Sequence, residues 1–225
     1  MRFDVVLADM DNTLFDFNAD SRQAVKATFE RFGFPYSEEE RELYFSINHQ
    51  LWADFEQGRI EKSFIFPTRW QRYMDRRGLS GDPAEVNKYY MEQLAKGSNY
   101  MPDAHLLLKT LNDMGCKVCA ATNGATHTQQ PRLQRSGMLP YFHKVYISEQ
   151  MGTQKPSREY FDLIFADLGE DKRKTAIVLG DSLSSDMQGG RNAGIATCFF
   201  GDPSQADGRC DYVITELMQF VDIIK

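Results

Sequence analysis

The chain has 225 residues, 42% hydrophobic and 26% charged, which fits a soluble globular protein of one large domain, or a domain carrying an inserted one, and excludes a disordered chain. No apolar run approaches the roughly 20 residues of a membrane span, and the N-terminus has no charged-then-apolar leader, so a cytoplasmic protein without a membrane partner is expected. The formal net charge of −6 provides no footprint for a nucleic-acid polymer, although a local site can oppose the global sign and take a small phosphorylated ligand.

In chain order, Val5-Val6-Leu7-Ala8 reads as a buried strand that stops at Asp9-Met10-Asp11-Asn12-Thr13. Carboxylates leaving the end of such a strand face the crevice where α/β folds bind ligands. A hard cation or a proton-transfer role is the usual compensation for acids held so close. From about Ser21 to Gly97 only helices are predicted. Ala24, Val25, Thr28, Phe29 and Phe32 recur at helical spacing and Gly33 stops the run. Ser37 and Glu40 form a capping-box signature ahead of Leu43, Ile47, Leu51 and Phe55, with Glu38-Glu39-Glu40 as the helix's first turn. In the aromatic segment around Phe64 to Met74, Pro67 predicts a helix start or a kink. Asp82-Pro83 with Glu85 opens a fourth helix in the order of cap, first-turn proline and acid. Trp52, Phe55, Trp70, Tyr73, Tyr89 and Tyr90 are expected to form the small core of this helical region.

Beyond Met101 the texture alternates. A helix with Leu107 and Leu111 ends at Gly115, and strands are predicted at Lys117–Ala121, Val145–Ile147, Thr175–Leu179, Ala196–Phe200 and Tyr212–Ile214, with helices between them. This alternation predicts an α/β fold: a Rossmann-like, doubly wound, mostly parallel sheet formed by residues 1–15 and 98–225, with a four-helix domain of residues 16–97 inserted. The four cysteines read as reduced thiols. Cys116 and Cys119 form a C-x-x-C, but one member lies within a strand and no second pair completes a zinc site.

Two further strand ends and one loop join the first. Thr122-Asn123-Gly124 offers a hydroxyl, an amide and a permissive backbone suited to phosphate oxygens. Gly180-Asp181 begins a segment that runs to Asp186, and Lys155-Pro156 lies between them. Parallel strands present their C-terminal ends on one edge, so Asp9, Asp11, Thr122 and Asp181 can converge, with Lys155 reaching the same edge from its loop. Each residue alone has a plainer reading: Thr122 as a turn hydroxyl, Lys155 as a solvated side chain, Asp181 as a helix cap and Asp186 as a structural acid.

The ordered set of Asp9-x-Asp11-x-Thr13, Thr122-Asn123-Gly124, Lys155-Pro156 and Gly180-Asp181-x4-Asp186 resembles the haloacid dehalogenase superfamily over essentially the whole chain, and the helical insertion resembles that superfamily's four-helix cap. Asn48, Leu51-Trp52, Phe55-Glu56, Gly58, Ile60 and Ile147-Ser148-Glu149 are similar to the bacterial pyrimidine 5′-nucleotidases. The resemblance implies a phosphomonoester hydrolase in which Asp9 is the nucleophile that forms an aspartyl-phosphate and Asp11 the general acid and base. It implies Mg²⁺ held by Asp9, Asp181 and the main-chain carbonyl of Asp11. Thr122, Asn123 and Lys155 would bind the phosphoryl group, and Asp186 would support Lys155 or a metal-bound water. The implied partner is a small phosphorylated metabolite, a nucleotide by the closer resemblance, taken by a monomer or weak dimer with an insertion that hinges near Phe15-Asp16-Phe17 and Gly97-Ser98. A sugar-phosphate phosphatase, or a mutase or phosphotransferase with the same intermediate, is the alternative. A non-enzymatic phospho-acceptor domain fits less well, because such domains lack the insertion.

Overall fold

The computed structural model describes residues 1–225. Strand β1 (Val5–Ala8) is four buried residues. Four helices follow: α1 (Phe17–Phe32), α2 (Glu38–Glu56), α3 (Lys62–Arg77) and α4 (Pro83–Leu94). Residues 18–97 form one compact unit, and residues 1–17 with 98–225 form another. The boundary falls after Phe17 instead of the expected Phe15. The Asp16 amide donates to the Asn99 carbonyl at 3.1 Å and the Phe17 amide to the Phe15 carbonyl at 2.9 Å, which ties both residues to the sheet-bearing unit.

Within the helical unit the ends follow the local chemistry. Gly33 adopts a left-handed φ of +68° after α1. Ser37 Oγ caps α2 by accepting from the Glu40 amide at 3.2 Å, but the reciprocal half of the capping box is used elsewhere. The Glu40 carboxylate accepts from Tyr73 Oη and Arg77 Nε, both at 2.8 Å, and so joins α2 to α3. Pro67 neither starts nor ends a helix: it lies inside α3, which already begins at Lys62. The proline removes one intrahelical donor, and the buried face of Ile65, Arg69, Trp70, Tyr73 and Met74 carries the helix through it. Asp82 Oδ1 accepts from the Ala84 amide at 2.9 Å with Pro83 in the first turn, as its sequence predicts.

The core of this unit centres on Trp70, whose ring lies 4.4 Å from that of Tyr44, 5.5 Å from Tyr90 and 6.2 Å from Phe29 between centroids. Phe55, Tyr73 and Tyr90 are buried as expected, whereas Trp52 and Tyr89 are only half-buried. Arg69 is also buried. It donates to Asn87 Oδ1 (2.7 Å from Nη2) and Asn48 Oδ1 (3.2 Å), and its guanidinium lies 4.6 Å from the Tyr90 ring centre.

The other unit continues with α5 (Ala104–Asp113), β2 (Lys117–Thr122), α6 (Thr126–Ser136), β3 (Lys144–Ile147), α7 (Ser148–Met151), α8 (Arg158–Leu168) and β4 (Ala176–Gly180). A π-helical turn, Leu183–Met187, leads into α9 (Gln188–Ala193), followed by β5 (Ala196–Phe200), α10 (Pro203–Ala206), β6 (Tyr212–Ile214) and α11 (Phe220–Ile224). The sheet has six strands in the order β3-β2-β1-β4-β5-β6, and every pairing is parallel. Side chains alternate between its faces. Val6 and Ala8 join Leu107, Leu111, Val118, Ile177 and Phe220 on one face, while Val5 and Leu7 join Cys119, Tyr160, Phe161, Ile164 and Val178 on the other. A strand buried on both faces has no polar side to present, which explains the uninterrupted apolar run at Val5–Ala8.

The chain winds outward from β1 to β3, then returns to place β4 on the other flank of β1. The crevice at that reversal is where open α/β sheets bind ligands. The registers Ala8↔Ala120 and Ala8↔Leu179 bring the ends of β1, β2 and β4 level. No helix is long and apolar enough to cross a membrane.

Candidate active site

Asp9 follows β1 directly. Its amide donates to the Leu179 carbonyl at 2.8 Å, so the ladder holds its backbone one residue beyond the strand. Asp9 Oδ1 accepts from Lys155 Nζ at 2.6 Å. The same ammonium donates to Asp186 Oδ1 and to the Ala121 carbonyl, each at 2.6 Å, so all three of its N–H bonds have acceptors. Lys155 and Asp186 are each 1% exposed and Asp9 8%, which makes this a desolvated ion cluster. Such a cluster holds only when its geometry and partners are complete.

The loop that delivers Lys155 is clamped by Asn123. The Asn123 Oδ1 accepts from the Lys155 amide at 3.0 Å, and its Nδ2 donates to the Lys155 carbonyl at 2.8 Å and to Ser185 Oγ at 3.3 Å. Both ends of the Asn123 amide are therefore engaged in fixing the lysine loop. Thr122 Oγ1 accepts from the Gly124 amide at 2.9 Å and from Gln129 Nε2 at 3.1 Å. Asp186 is locked a second time, its Oδ2 accepting from the Ser182 amide at 3.1 Å. Asp181 Oδ1 accepts from Thr13 Oγ1 at 3.3 Å.

Carboxylate oxygens of Asp9, Asp181 and Asp186 all lie within 4.8 Å of one another. Burial raises the Asp9 carboxyl well above the usual range and the charges of Asp186 and Asp181 raise it further, against the opposing pull of Lys155. Burial, then Asp186, pushes Asp181 up to about 7. Burial works against the charge on Lys155, but Asp186 and Asp9 outweigh it and hold the ammonium above the ordinary lysine range. Three carboxylates thus face one ammonium, an excess of negative charge made only of hard oxygen donors. Such a donor set fits Mg²⁺, which binds through carboxylates and retains waters. Asp186, expected to act through Lys155 or a water, pairs with Lys155 and also stands within the acidic group, whereas the Asp11 side chain does not belong to it.

Asp11 points elsewhere. Its Oδ2 accepts from Gln129 Nε2 at 2.6 Å and its Oδ1 from Arg132 Nη1, both donors being on α6. Neither Gln129 nor Arg132 stands out in the sequence. The segment Thr126–Ser136 lacks an apolar stripe, and its polar residues read as solvated. The usable signal is their spacing, one helical turn apart, on a helix that begins just beyond Thr122-Asn123-Gly124.

Gly180 gives a direct test of how tight this packing is. A Cβ placed there would lie 2.3 Å from Asp186 Oδ2, a side chain already held at both oxygens. Gly180→Ala is expected to destabilise the protein by about 1–3 kcal/mol through overpacking. Urea unfolding checks this, and an unchanged midpoint would show that Asp186 yields freely.

A haloacid dehalogenase-like hydrolase family model matches residues 3–194. The pyrimidine 5′-nucleotidase PynA of Streptococcus pneumoniae is 34% identical over 200 residues, which are 89% of this chain and 84% of that protein. The pyrimidine 5′-nucleotidase YjjG of Escherichia coli is 32% identical over 199 residues, 88% of this chain and 86% of that one. A crystal structure of the HAD-hydrolase YfnB of Bacillus subtilis, bound to magnesium, superposes with a TM-score of 0.93 at 30% identity, covering 100% of this chain and 99% of that one. The parallel sheet, its loaded edge and these likenesses agree, and the chain belongs to the haloacid dehalogenase-like hydrolases.

Proposed function

We propose that this enzyme is a Mg²⁺-dependent phosphomonoesterase that works through a phosphorylated Asp9 and takes nucleoside 5′-monophosphates, pyrimidine nucleotides before purine ones. The observation that carries the reading is the buried Asp9 held by Lys155 at the end of β1, beside Asp181 and Asp186 and followed by Asp11. The pyrimidine preference is supported by the likeness to PynA and YjjG, both named pyrimidine 5′-nucleotidases.

An oxygen of Asp9 attacks phosphorus and the ester P–O bond breaks, while Asp11 gives its proton to the departing alkoxide. A water then attacks the phosphorus of the acyl-phosphate and gives its proton to Asp11, which releases inorganic phosphate and regenerates the Asp9 carboxylate. Lys155 and the Thr122 hydroxyl orient the phosphoryl oxygens, and Asn123 holds the Lys155 backbone in place. Asp9 and Asp181, with Asp186 beside them, would hold Mg²⁺, which when bound supplies positive charge that lets a carboxylate and a phosphate approach one another.

A panel of pyrimidine and purine nucleoside 5′-monophosphates and sugar phosphates tests this. Phosphate release is expected with Mg²⁺, to fall by about 100-fold or more in excess EDTA and to return when Mg²⁺ is restored. Release indifferent to EDTA would overturn the metal requirement. Faster turnover of sugar phosphates than of every nucleotide would reassign the substrate, and transfer to an added alcohol in place of water would make the enzyme a phosphotransferase.

A further inference from the structure

We infer that Gln129 and Arg132 of α6 are positioning residues for Asp11, holding its carboxyl group in the orientation from which it exchanges protons with the substrate oxygens. The inference rests on the proposed acid–base role of Asp11. Arg132 is wholly buried, and its buried neighbours on α6 are mostly polar: Thr128 and Gln129, with Leu133 the one apolar member. A guanidinium taken out of water is unfavourable without partners that offset the loss of hydration. Here the compensation is specific. Nη1 donates to Asp11 Oδ1 and to Gln129 Oε1 at 2.9 Å, and the guanidinium lies over the rings of Phe15 at 4.6 Å and Phe17 at 5.8 Å from their centres.

Gln129 closes the arrangement. Its Oε1 accepts from Arg132, and its Nε2 donates to Asp11 Oδ2 at 2.6 Å and to Thr122 Oγ1 at 3.1 Å. The orientation of Asp11 is therefore tied to that of Thr122 through one amide. The two ends of the ion pair also differ: the Arg132 side chain is 0% exposed and that of Asp11 27%. The buried end is the fixed one, and Asp11 is the end that meets solvent.

Gly124 belongs to the same device, since a Cβ there would lie 2.1 Å from Gln129 Nε2. Glycine leaves the room that Gln129 occupies. A side chain at this position would drive the amide off both Asp11 and Thr122.

The test separates proton transfer from general damage by leaving group. An alkyl phosphate needs its departing oxygen protonated, whereas 4-nitrophenyl phosphate releases a stable phenolate without help. For Arg132→Met and Gln129→Met, kcat/KM on the fastest alkyl phosphate of the substrate panel is expected to fall by about 100-fold, the scale of a misoriented catalytic group. On 4-nitrophenyl phosphate the fall in kcat/KM is expected to stay within about fivefold for Arg132→Met, because that ratio reports only the steps up to aspartyl-phosphate formation. Gln129→Met, which also loses the bond to Thr122, adds a smaller loss common to both substrates. Arg132→Lys, which keeps the charge but not the fork, should recover part of the loss. Equal losses on both substrates, or none on the alkyl phosphate, would overturn the inference.

Asp11→Asn is the control that isolates the underlying reading. If that variant shows no selective loss on the alkyl phosphate, the acid–base role of Asp11 fails. If it does and the α6 variants do not, only the positioning role fails. Should Arg132→Met not fold, Gln129→Met decides, since it removes a neutral amide and leaves the ion pair in place.

Discussion

Asp9→Asn is expected to abolish turnover, by about 10⁴-fold or more, while leaving the fold intact. An amide oxygen is a poor nucleophile, and no other carboxylate can replace it in line with a phosphoryl group held by Lys155 and Thr122. Asp11 leans toward α6, Asp181 is held through Thr13, and both Asp186 oxygens are engaged by Lys155 and the Ser182 amide. Stability should not fall with activity. Burial and two neighbouring carboxylates disfavour the charge on Asp9, so removing that charge relieves repulsion while Asp186 continues to hold Lys155. In metal-free buffer the melting temperature is expected to match or exceed that of the parent. Acid quenching with phosphate-labelled substrate should trap a phosphoenzyme in the parent and none in the variant. Retention of more than about one per cent of the turnover would remove Asp9 from the nucleophile's role.

Lys155→Met is expected to cost both activity and fold, and the contrast between the two substitutions is informative. Methionine matches the aliphatic stem but leaves Asp9 Oδ1, Asp186 Oδ1 and the Ala121 carbonyl without their shared donor. Removing one partner of a buried ion pair costs about 3–5 kcal/mol, because the remaining charge stays desolvated. Here the remaining charges also repel one another, since Asp9, Asp181 and Asp186 lie within 4.8 Å. Urea unfolding in metal-free buffer should show a loss of that size, and phosphate release should drop with it through loss of phosphoryl orientation. A change below about 1 kcal/mol would mean that the cluster is not held by its lysine.

Of these two residues, Lys155 is visible in the sequence as a charge in the loop ahead of α8, and Asp9 as a charge placed where a strand ends. That placement is legible because a strand buried on both faces must be apolar, and a carboxylate ending it has to be accounted for. Asp9, Thr122 and Asp181 follow β1, β2 and β4 or end them, and the parallel registers bring them to one edge. The same logic located all six strands to within one residue at each end, and the helix stops at Gly33 and Gly115, where φ is positive. It worked less well where tertiary contacts compete with local signals. Glu40 has the spacing of a capping box, yet its carboxylate goes to Tyr73 and Arg77, because an interhelical ion pair and a buried phenol offered better partners. Pro67 reads as a helix start or a kink; α3 begins five residues before it and runs on to Arg77, because packing of its buried face outweighs one lost hydrogen bond.

By itself, then, the amino-acid order determined the alternating architecture, the helical insertion and which carboxylates stand at strand ends, since these depend on local periodicity and on the cost of burying charge. Only the tertiary structure decided which polar side chains are themselves buried. Arg132 and Gln129 sit on a helix with no apolar stripe to mark an inward face, and Asn123 looks like a ligand-binding amide until both its ends are seen on the Lys155 backbone. Polar residues carry no sign of burial in sequence, because their desolvation is compensated by partners far along the chain; the bond from Arg132 to Asp11 spans 121 residues and that from Lys155 to Asp9 spans 146.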